Sequence, residues 1–315
     1  MEIRKYVSGN ELDILNLFHL VFNKEMTLEA WNWRFKNNPF TKDVFIYLMW
    51  EGEQLIGHYA VSPVEMKLQG KVIKTALSMT TMTHPEHGGK GIFSKLAANL
   101  YKDLKEEFGY KFIWGFPNNN SHYGFIKNLG WQDIAVIPML SGKITELRLK
   151  KDEKVPFNLG GNFDDNTAVK INNSGKDIKI NKTQAYLEWR YTNNPTANYK
   201  ILQLENGNGT AVYKVINSFE EDGGYEIDLM ELSFQDDINI LNRLLNSIIN
   251  NEPDIKLIQF NIWKSIFSSN RILLEKLGFK ITQPLTYLGY LDFDNSKLIS
   301  HYQNWEIGLG YSDVF

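Results

Sequence analysis

Three glycines in four positions, Gly88-Gly89-Lys90-Gly91, stand between two patterned segments. Before them, Thr75–Thr83 alternates small or polar with apolar side chains, which predicts a strand. After them, Leu96, Leu100, Leu104 and Phe108 recur at i+4 spacing, with Phe93 and Ala97 on the same face, which predicts a helix stopped by Gly109. A glycine turn at a helix N-terminus lets a ligand come close to backbone N–H groups that have no acceptor of their own, at the positive end of the helix dipole. The chemistry this suits is the binding of a pyrophosphate. The turn is not a P-loop, because Ile92-Phe93 replace the Lys-Ser or Lys-Thr. The dinucleotide fingerprint also fails, on glycine spacing and on the lack of a placed acidic residue. His84 and His87 flank Glu86 beside the turn. His84, at the end of the strand, is a candidate general base, and His58 on a nearby strand is a second. A metal reading of the histidine pair lacks further ligands, and Pro85 breaks its helical spacing, so no metal is expected.

These residues need a scaffold. Met1–Val7 reads as a strand and the segment after Asn10 as a helix. Thr27 is the expected N-cap of a helix that presents Trp31 and Phe35. Val44–Trp50 and Gln54–Ser62 form a strand pair, and Met66–Gln69 with Lys71–Thr75 form a hairpin at Gly70. Lys111–Phe116 is an apolar run read as a buried strand parallel to the central one; Pro117 stops it, and Ser121 is expected to cap a short helix ending at Gly130.

The chain then repeats itself. Trp33-Arg-Phe-Lys-Asn-Asn-Pro39 recurs as Trp189-Arg-Tyr-Thr-Asn-Asn-Pro195, Lys111–Phe116 as Lys256–Asn261, and Phe125–Trp131 as Leu273–Phe279. Three matches in one order predict a duplicated domain. Residues 145–180, rich in Lys, Asp, Asn and Gly, predict a linker with a boundary near 150. The second copy has Ser233-Phe-Gln-Asp-Asp-Ile238 where the first has its glycine turn, a poor pyrophosphate site, so it is read as degenerate for cofactor binding. Trp33, Arg34, Asn38 and Pro39 survive in that copy, which favours a packing and capping role.

Composition narrows the classes. The 315 residues carry a net charge of −3, 43% hydrophobic and 13% aromatic residues. That supports a packed core and lacks the basic face of a nucleic-acid binder. With no cysteine, disulfides and a thiol nucleophile are excluded. No apolar run reaches the roughly 20 residues of a membrane span, and Met1–Tyr6 has no apolar signal core. A cytoplasmic protein without membrane insertion is the expectation.

Thr83-His-Pro-Glu-His-Gly-Gly-Lys-Gly-Ile-Phe-Ser-Lys-Leu96 resembles the acyl-CoA motif of GNAT-fold N-acyltransferases, Pro-x-x-Arg/Gln-Gly-x-Gly-x-Gly/Ala. Gly88 replaces the Arg or Gln, and Phe93 the last small residue, putting bulk where the helix nears the pyrophosphate. Trp114-Gly-Phe-Pro-Asn118 resembles the subgroup that acylates nucleotide-linked amino sugars for surface polysaccharides. The resemblance covers 1–145, with a weaker duplicate over 180–290. It implies an α/β (α+β) chain of two tandem GNAT-like domains, each a mixed central sheet flanked by helices: 1–150 with the acyl-CoA site, and 151–315 degenerate, with a tail. It implies acyl-CoA as co-substrate, bound by Met82, Thr83, Gly88, Gly89, Lys90, Gly91, Ile92 and Phe93, with Asn118 and Asn119 at the pantetheine or acyl end. A backbone N–H of the central strand, near Met82, would polarise the thioester carbonyl. Tyr123 stands one turn before the family's usual acid, whose position is Ile126. Tyr311 and Asp313 of the apolar tail are acceptor-side candidates. The acceptor implied is the amine of a dTDP-linked amino-dideoxy sugar, taking acetyl or 3-hydroxybutyryl, in a cleft rich in aromatics, and a monomer suffices if the domains pair within one chain. Alternatives are an aminoglycoside or polyamine acetyltransferase, a tRNA-dependent peptidoglycan aminoacyltransferase, and a non-enzymatic CoA-binding module if Phe93 blocks the site.

Overall fold

The computed structural model describes residues 1–150, 157–160, 163–172, 174–205, 207–218 and 221–312. The chain is α/β, with mixed sheets flanked by helices, and it divides into two compact units. The first comprises Met1–Ala135, Asn194–Thr196 and Tyr287–Ser300; the second comprises Val136–Asn193, Ala197–Thr286 and His301–Phe315.

In the first unit, β1 (Glu2–Lys5), β2 (Phe45–Glu51), β3 (Gln54–Leu68) and β4 (Lys71–Thr83) pair antiparallel in that order, and β5 (Phe112–Gly115) joins β4 in parallel. The helices are α1 (Glu11–Phe22), α2 (Leu28–Phe35), α3 (Ile92–Glu106) and α4 (Asn119–Tyr123). Successive strand residues face opposite sides, and each side has its own core. Tyr59, Val61 and Ile113 pack with Leu96, Leu100 and Leu104, the apolar stripe of α3. Ala60, Leu48, Met79 and Met82 pack with Ile14 and Leu17 of α1 and Trp31 and Phe35 of α2. Thr27 caps α2 as expected, accepting from the Ala30 N–H. The expected break between Gln54–Ser62 and Met66–Gln69 is absent: β3 runs through Pro63.

The second unit orders its strands as β7 (Phe157–Gly160), β9 (Lys200–Leu204), β10 (Gly209–Asn217), β11 (Tyr225–Phe234), β12 (Leu257–Ile262) and β6 (Gln132–Lys143). Here β11 and β12 are parallel, as β4 and β5 are in the first unit. It also holds β8 (Ile178–Ile180), α5 (Asp165–Asn172), α6 (Gln184–Leu187), α7 (Ile238–Asn251), α8 (Ser269–Leu277) and the start of β13 (Lys280–Asp292). The sequence repeats fall on equivalent elements: β5 matches β12, and the stretch after α4 matches α8. The last strand of each sheet arrives from the other repeat. β5 pairs antiparallel with the end of β13, Gly289 opposite Gly115, and β12 pairs antiparallel with β6, Gln259 opposite Lys143.

Candidate active site

The site begins where a ladder stops. β4 and β5 pair over three positions, Thr75 to Leu77 with Phe112 to Trp114. β4 then continues to Thr83 while β5 ends at Gly115. Beyond Leu77 one edge of β4 is therefore open among the described residues. Its other edge stays on β3, with His58 opposite Met82 and Gly57 opposite Thr83. The His84 N–H donates to the Ile56 carbonyl at 2.9 Å. Backbone groups alternate sides along a strand, so Met82 also turns its N–H toward β3. Thr81 and Thr83 turn theirs toward the open edge. The donors near Met82 that face the open edge are therefore those of its two neighbours, and the Met82 side chain is core, 1% exposed.

A bulge sets this phase. The β3–β4 register shifts between His58 and Ala60, and Thr80 adopts a left-handed backbone, φ +49°. Two side chains hold it. Arg34 donates to Thr80 Oγ1 at 3.4 Å, and His58 Nδ1 donates to the Thr80 carbonyl at 2.8 Å. His58 is fully buried, edge-on to Phe35, and its Nε2 has no partner among the described residues. Burial lowers its pKa to about 4, against the pull of the Thr80 carbonyl. The geometry makes it a clamp on the bulge, and Arg34, read from sequence as a cap, is a second clamp. Asn38 is buried and donates to Ser62 Oγ and the Pro63 carbonyl, the packing role its survival in the second copy suggested.

The glycine turn follows. Gly89 and Gly91 have φ of +75° and +69°, which a side chain would strain, and Gly91 is the N-cap of α3. The first intrahelical bond is Lys95 N–H to the Gly91 carbonyl, so the N–H groups of Ile92, Phe93 and Ser94 have no acceptor in the helix. Gly88, Gly89, Lys90 and Gly91 are exposed; Ile92 is buried under the turn. Phe93 does not obstruct it. Its ring packs inward against Tyr59 and Phe125, 5.5 and 4.9 Å between centroids, and a Cβ at Gly124 would lie 3.3 Å from it. Gly57 lies beneath the first turn of α3, where an added Cβ would overlap Ile92.

The remaining candidates separate. His84 Nε2 lies 3.1 Å from the Gln54 amide and its Nδ1 accepts the Glu86 N–H at 3.3 Å. His87 is buried with Nε2 3.0 Å from Glu51. Asn118, not Ser121, is the N-cap of α4: its Oδ1 accepts from Asn120 and Ser121 at 3.0 Å, while Ser121 completes the box from the third position. Asn119 is exposed. The chain leaves α4 as a π-helical turn, Gly124–Asn128, which changes the angular phase of the side chains. Tyr123 is 68% exposed, and Ile126 packs toward the core. Tyr311 is buried: its hydroxyl accepts from Ile180 N–H at 3.2 Å and donates to Glu306 at 3.1 Å. Asp313 lies outside the described residues. Among the described residues no acidic or histidine cluster is placed to hold a metal, and no helix is long and apolar enough to cross a membrane.

Residues 2–134 match the family model of the GNAT acetyltransferase domain. The first unit carries a GNAT acetyltransferase domain. A domain of this kind moves an acyl group from acyl-CoA to an amine, so residues 2–134 form an acyl-CoA-dependent N-acyltransferase domain. The fold likeness extends over the chain. A probable N-acyltransferase from Enterococcus faecalis V583 is 16% identical, with TM-score 0.68 over 93% of this chain and 73% of its own. A GCN5-related N-acetyltransferase from Kribbella flavida is 14% identical, with TM-score 0.69 over 95% and 73%. Saccharomyces cerevisiae N-myristoyltransferase, solved with bound myristoyl-CoA, is 11% identical, with TM-score 0.61 over 92% and 82%. Comparison with curated proteins gives no match.

Proposed function

We propose that this GNAT-domain protein acylates the amine of a nucleotide-linked amino-dideoxy sugar, dTDP-linked, with acetyl or a short hydroxyacyl such as 3-hydroxybutyryl. The observation that carries the donor half is the open edge of β4 leading to the exposed glycine turn. The acceptor half rests on the resemblance at Trp114–Asn118. The proposal includes the duplicated halves, 1–150 for the donor and 151–315 as the degenerate copy.

The turn amides from Gly88 to Phe93 hold the pyrophosphate, helped by the α3 dipole. The pantetheine arm lies along β4 as an added strand. Thr83 is nearer the turn, so its N–H meets the arm. Thr81 lies deeper, so its N–H meets the thioester carbonyl and stabilises the oxyanion. The amine attacks that carbon; the C–N bond forms, the C–S bond breaks, and no acyl-enzyme intervenes. His58 and Arg34 act through the bulge, by aiming Thr81. His84 sits at the end of β4 and takes the amine proton directly or through water. Tyr123 is the candidate donor to the thiolate; a thiol pKa near 8.5 lets the sulfur leave unassisted as well.

The test is thiol release from acetyl-CoA and 3-hydroxybutyryl-CoA against dTDP- and UDP-linked amino sugars, aminoglycosides and polyamines. The protein has no cysteine, so a thiol-reactive dye reports product alone. Turnover confined to a dTDP-amino sugar is the expected result. Turnover with another amine class would keep the reaction and replace the acceptor.

A further inference from the structure

The open edge of β4 has a closed end, and that end carries a hydroxyl. The β4–β5 ladder stops at Leu77 with Trp114, so Ser78 and Gly115 are the first residues past it. On its other side Gly115 pairs with Gly289 of β13. A Cβ at Gly115 would lie 3.3 Å from Ser78 Cβ and 3.5 Å from the Trp131 ring, so the glycine keeps the space beside Ser78 clear. Behind it the contacts are aromatic: Phe93 stands on Tyr59 and Phe125 on Trp131, 5.5 and 4.5 Å between centroids.

Ser78 is the outer end of a buried hydrogen-bond chain. Trp131 Nε1 donates to the Tyr101 hydroxyl at 3.2 Å, the Tyr101 and Tyr59 hydroxyls lie 2.7 Å apart, and Tyr59 lies 2.8 Å from Ser78 Oγ. Burial holds both phenols well above their ordinary pKa, so each keeps its proton. Four protons therefore share three bonds, one from the indole and one from each hydroxyl. Among the described residues these four side chains have no other hydrogen-bond partner. One proton is left over. On Tyr59 or Tyr101, 0% and 6% exposed, it would be an unpaired donor in the core, a costly state. On Ser78, the most exposed of the four at 9%, it is available to whatever enters between the strands. Each group thus donates to the next, Trp131 to Tyr101 to Tyr59 to Ser78, and the Ser78 hydroxyl remains a donor without an acceptor.

An acyl group would meet that proton. In the donor arrangement proposed above, the thioester carbonyl lies at the Thr81 N–H and the acyl chain continues toward the closed end. Three residues of strand, Thr81 to Ser78, span at most about 10 Å, and a hydrogen bond of about 3 Å at each end leaves about 4 Å between two ligand oxygens. That matches the separation of a thioester carbonyl oxygen from an oxygen on C3 of the acyl chain. Acetyl falls short of Ser78, and butyryl would cover its proton with a methylene.

We propose that Ser78 selects the acyl donor, its hydroxyl donating to an oxygen on C3, so that a 3-oxygenated four-carbon acyl-CoA is preferred to butyryl-CoA; this rests on the donor reading above. The test is calorimetric binding of butyryl-CoA, each enantiomer of 3-hydroxybutyryl-CoA, and acetoacetyl-CoA to the full chain, without an acceptor. Acetoacetyl-CoA and one hydroxybutyryl enantiomer should bind about tenfold more tightly than butyryl-CoA, the worth of one hydrogen bond to a donor otherwise left unpaired. Ser78→Ala should erase that preference. Tyr101→Phe strands the Trp131 N–H and should melt earlier, yet keep the preference, because Tyr59 still donates to Ser78. Equal affinities in the parent, a preference that survives Ser78→Ala, or one lost equally in Tyr101→Phe would overturn the proposal and leave the donor site standing. So would a preference for hydroxybutyryl without one for acetoacetyl, since Ser78 would then be accepting. Binding of none of these ligands would remove the donor site and the proposal together.

Discussion

Acid should weaken this protein through His58, by an amount that the structure sets. The imidazole is buried and neutral, with Nδ1 on the Thr80 carbonyl and Nε2 without a partner among the described residues. Its pKa is about 4 in the fold against 6.5 for a free histidine. The folded value is depressed, so between those values the unfolded chain binds a proton that the native state refuses. Stability is therefore full above pH 6.5 and falls as the pH drops toward 4. The 2.5-unit gap corresponds to about 3 kcal/mol at most, and about 2 kcal/mol is lost by pH 5. Urea unfolding of the parent and of His58→Gln from pH 7.5 to 4.5, followed by tryptophan fluorescence, isolates this group, since all other titrations are shared. The parent should lose about 2 kcal/mol more than the variant between pH 7 and pH 5. Parallel stability curves would refute the reasoning, and with it the buried clamp. Activity gives a second readout. A clamp on the bulge predicts a kcat lowered evenly across pH in His58→Gln, whereas a general base predicts loss of the limb that titrates with it.

Four other outcomes follow from the same geometry. Gly91→Trp strains a left-handed position and crowds the turn amides, so acyl-CoA binding by calorimetry should vanish while the circular dichroism spectrum persists; retained affinity would remove the turn from the site. Gly57→Ala places a methyl group against Ile92, which should cost about 1–3 kcal/mol in chemical unfolding and weaken acyl-CoA binding by tilting α3. Tyr123→Phe should leave stability unchanged, because the ring is exposed; a fall in kcat on the alkaline side would establish it as the thiol's proton donor, and an unchanged profile would show that the thiolate leaves unaided. Lys182→Met strands Glu231 in the core, so about 3–5 kcal/mol of stability should disappear in urea unfolding.

The sequence by itself determined the local pieces. Glycines at Gly89 and Gly91 were required by backbone angles, the stripe of α3 by its burial, and the cap at Thr27 by an orphan N–H. Each is a short-range constraint, so each is written in neighbouring residues. The duplication was legible for the same reason, because a repeat needs no contact map. What the sequence missed depended on strand phase and on partners far along the chain. Whether Thr81, Met82 or Thr83 offers its N–H to the open edge turns on the Thr80 bulge, and that turns on a bond from His58, 22 residues away. The residue class of His58 suggests a base; its burial makes it a clamp. Phe93 read as an obstruction because its size was visible and its rotamer was not, and Tyr311 read as a ligand contact because a buried hydroxyl and an exposed one share a letter. The exchange of closing strands, β13 onto β5 and β6 onto β12, leaves no local mark, since either pairing satisfies the same alternation.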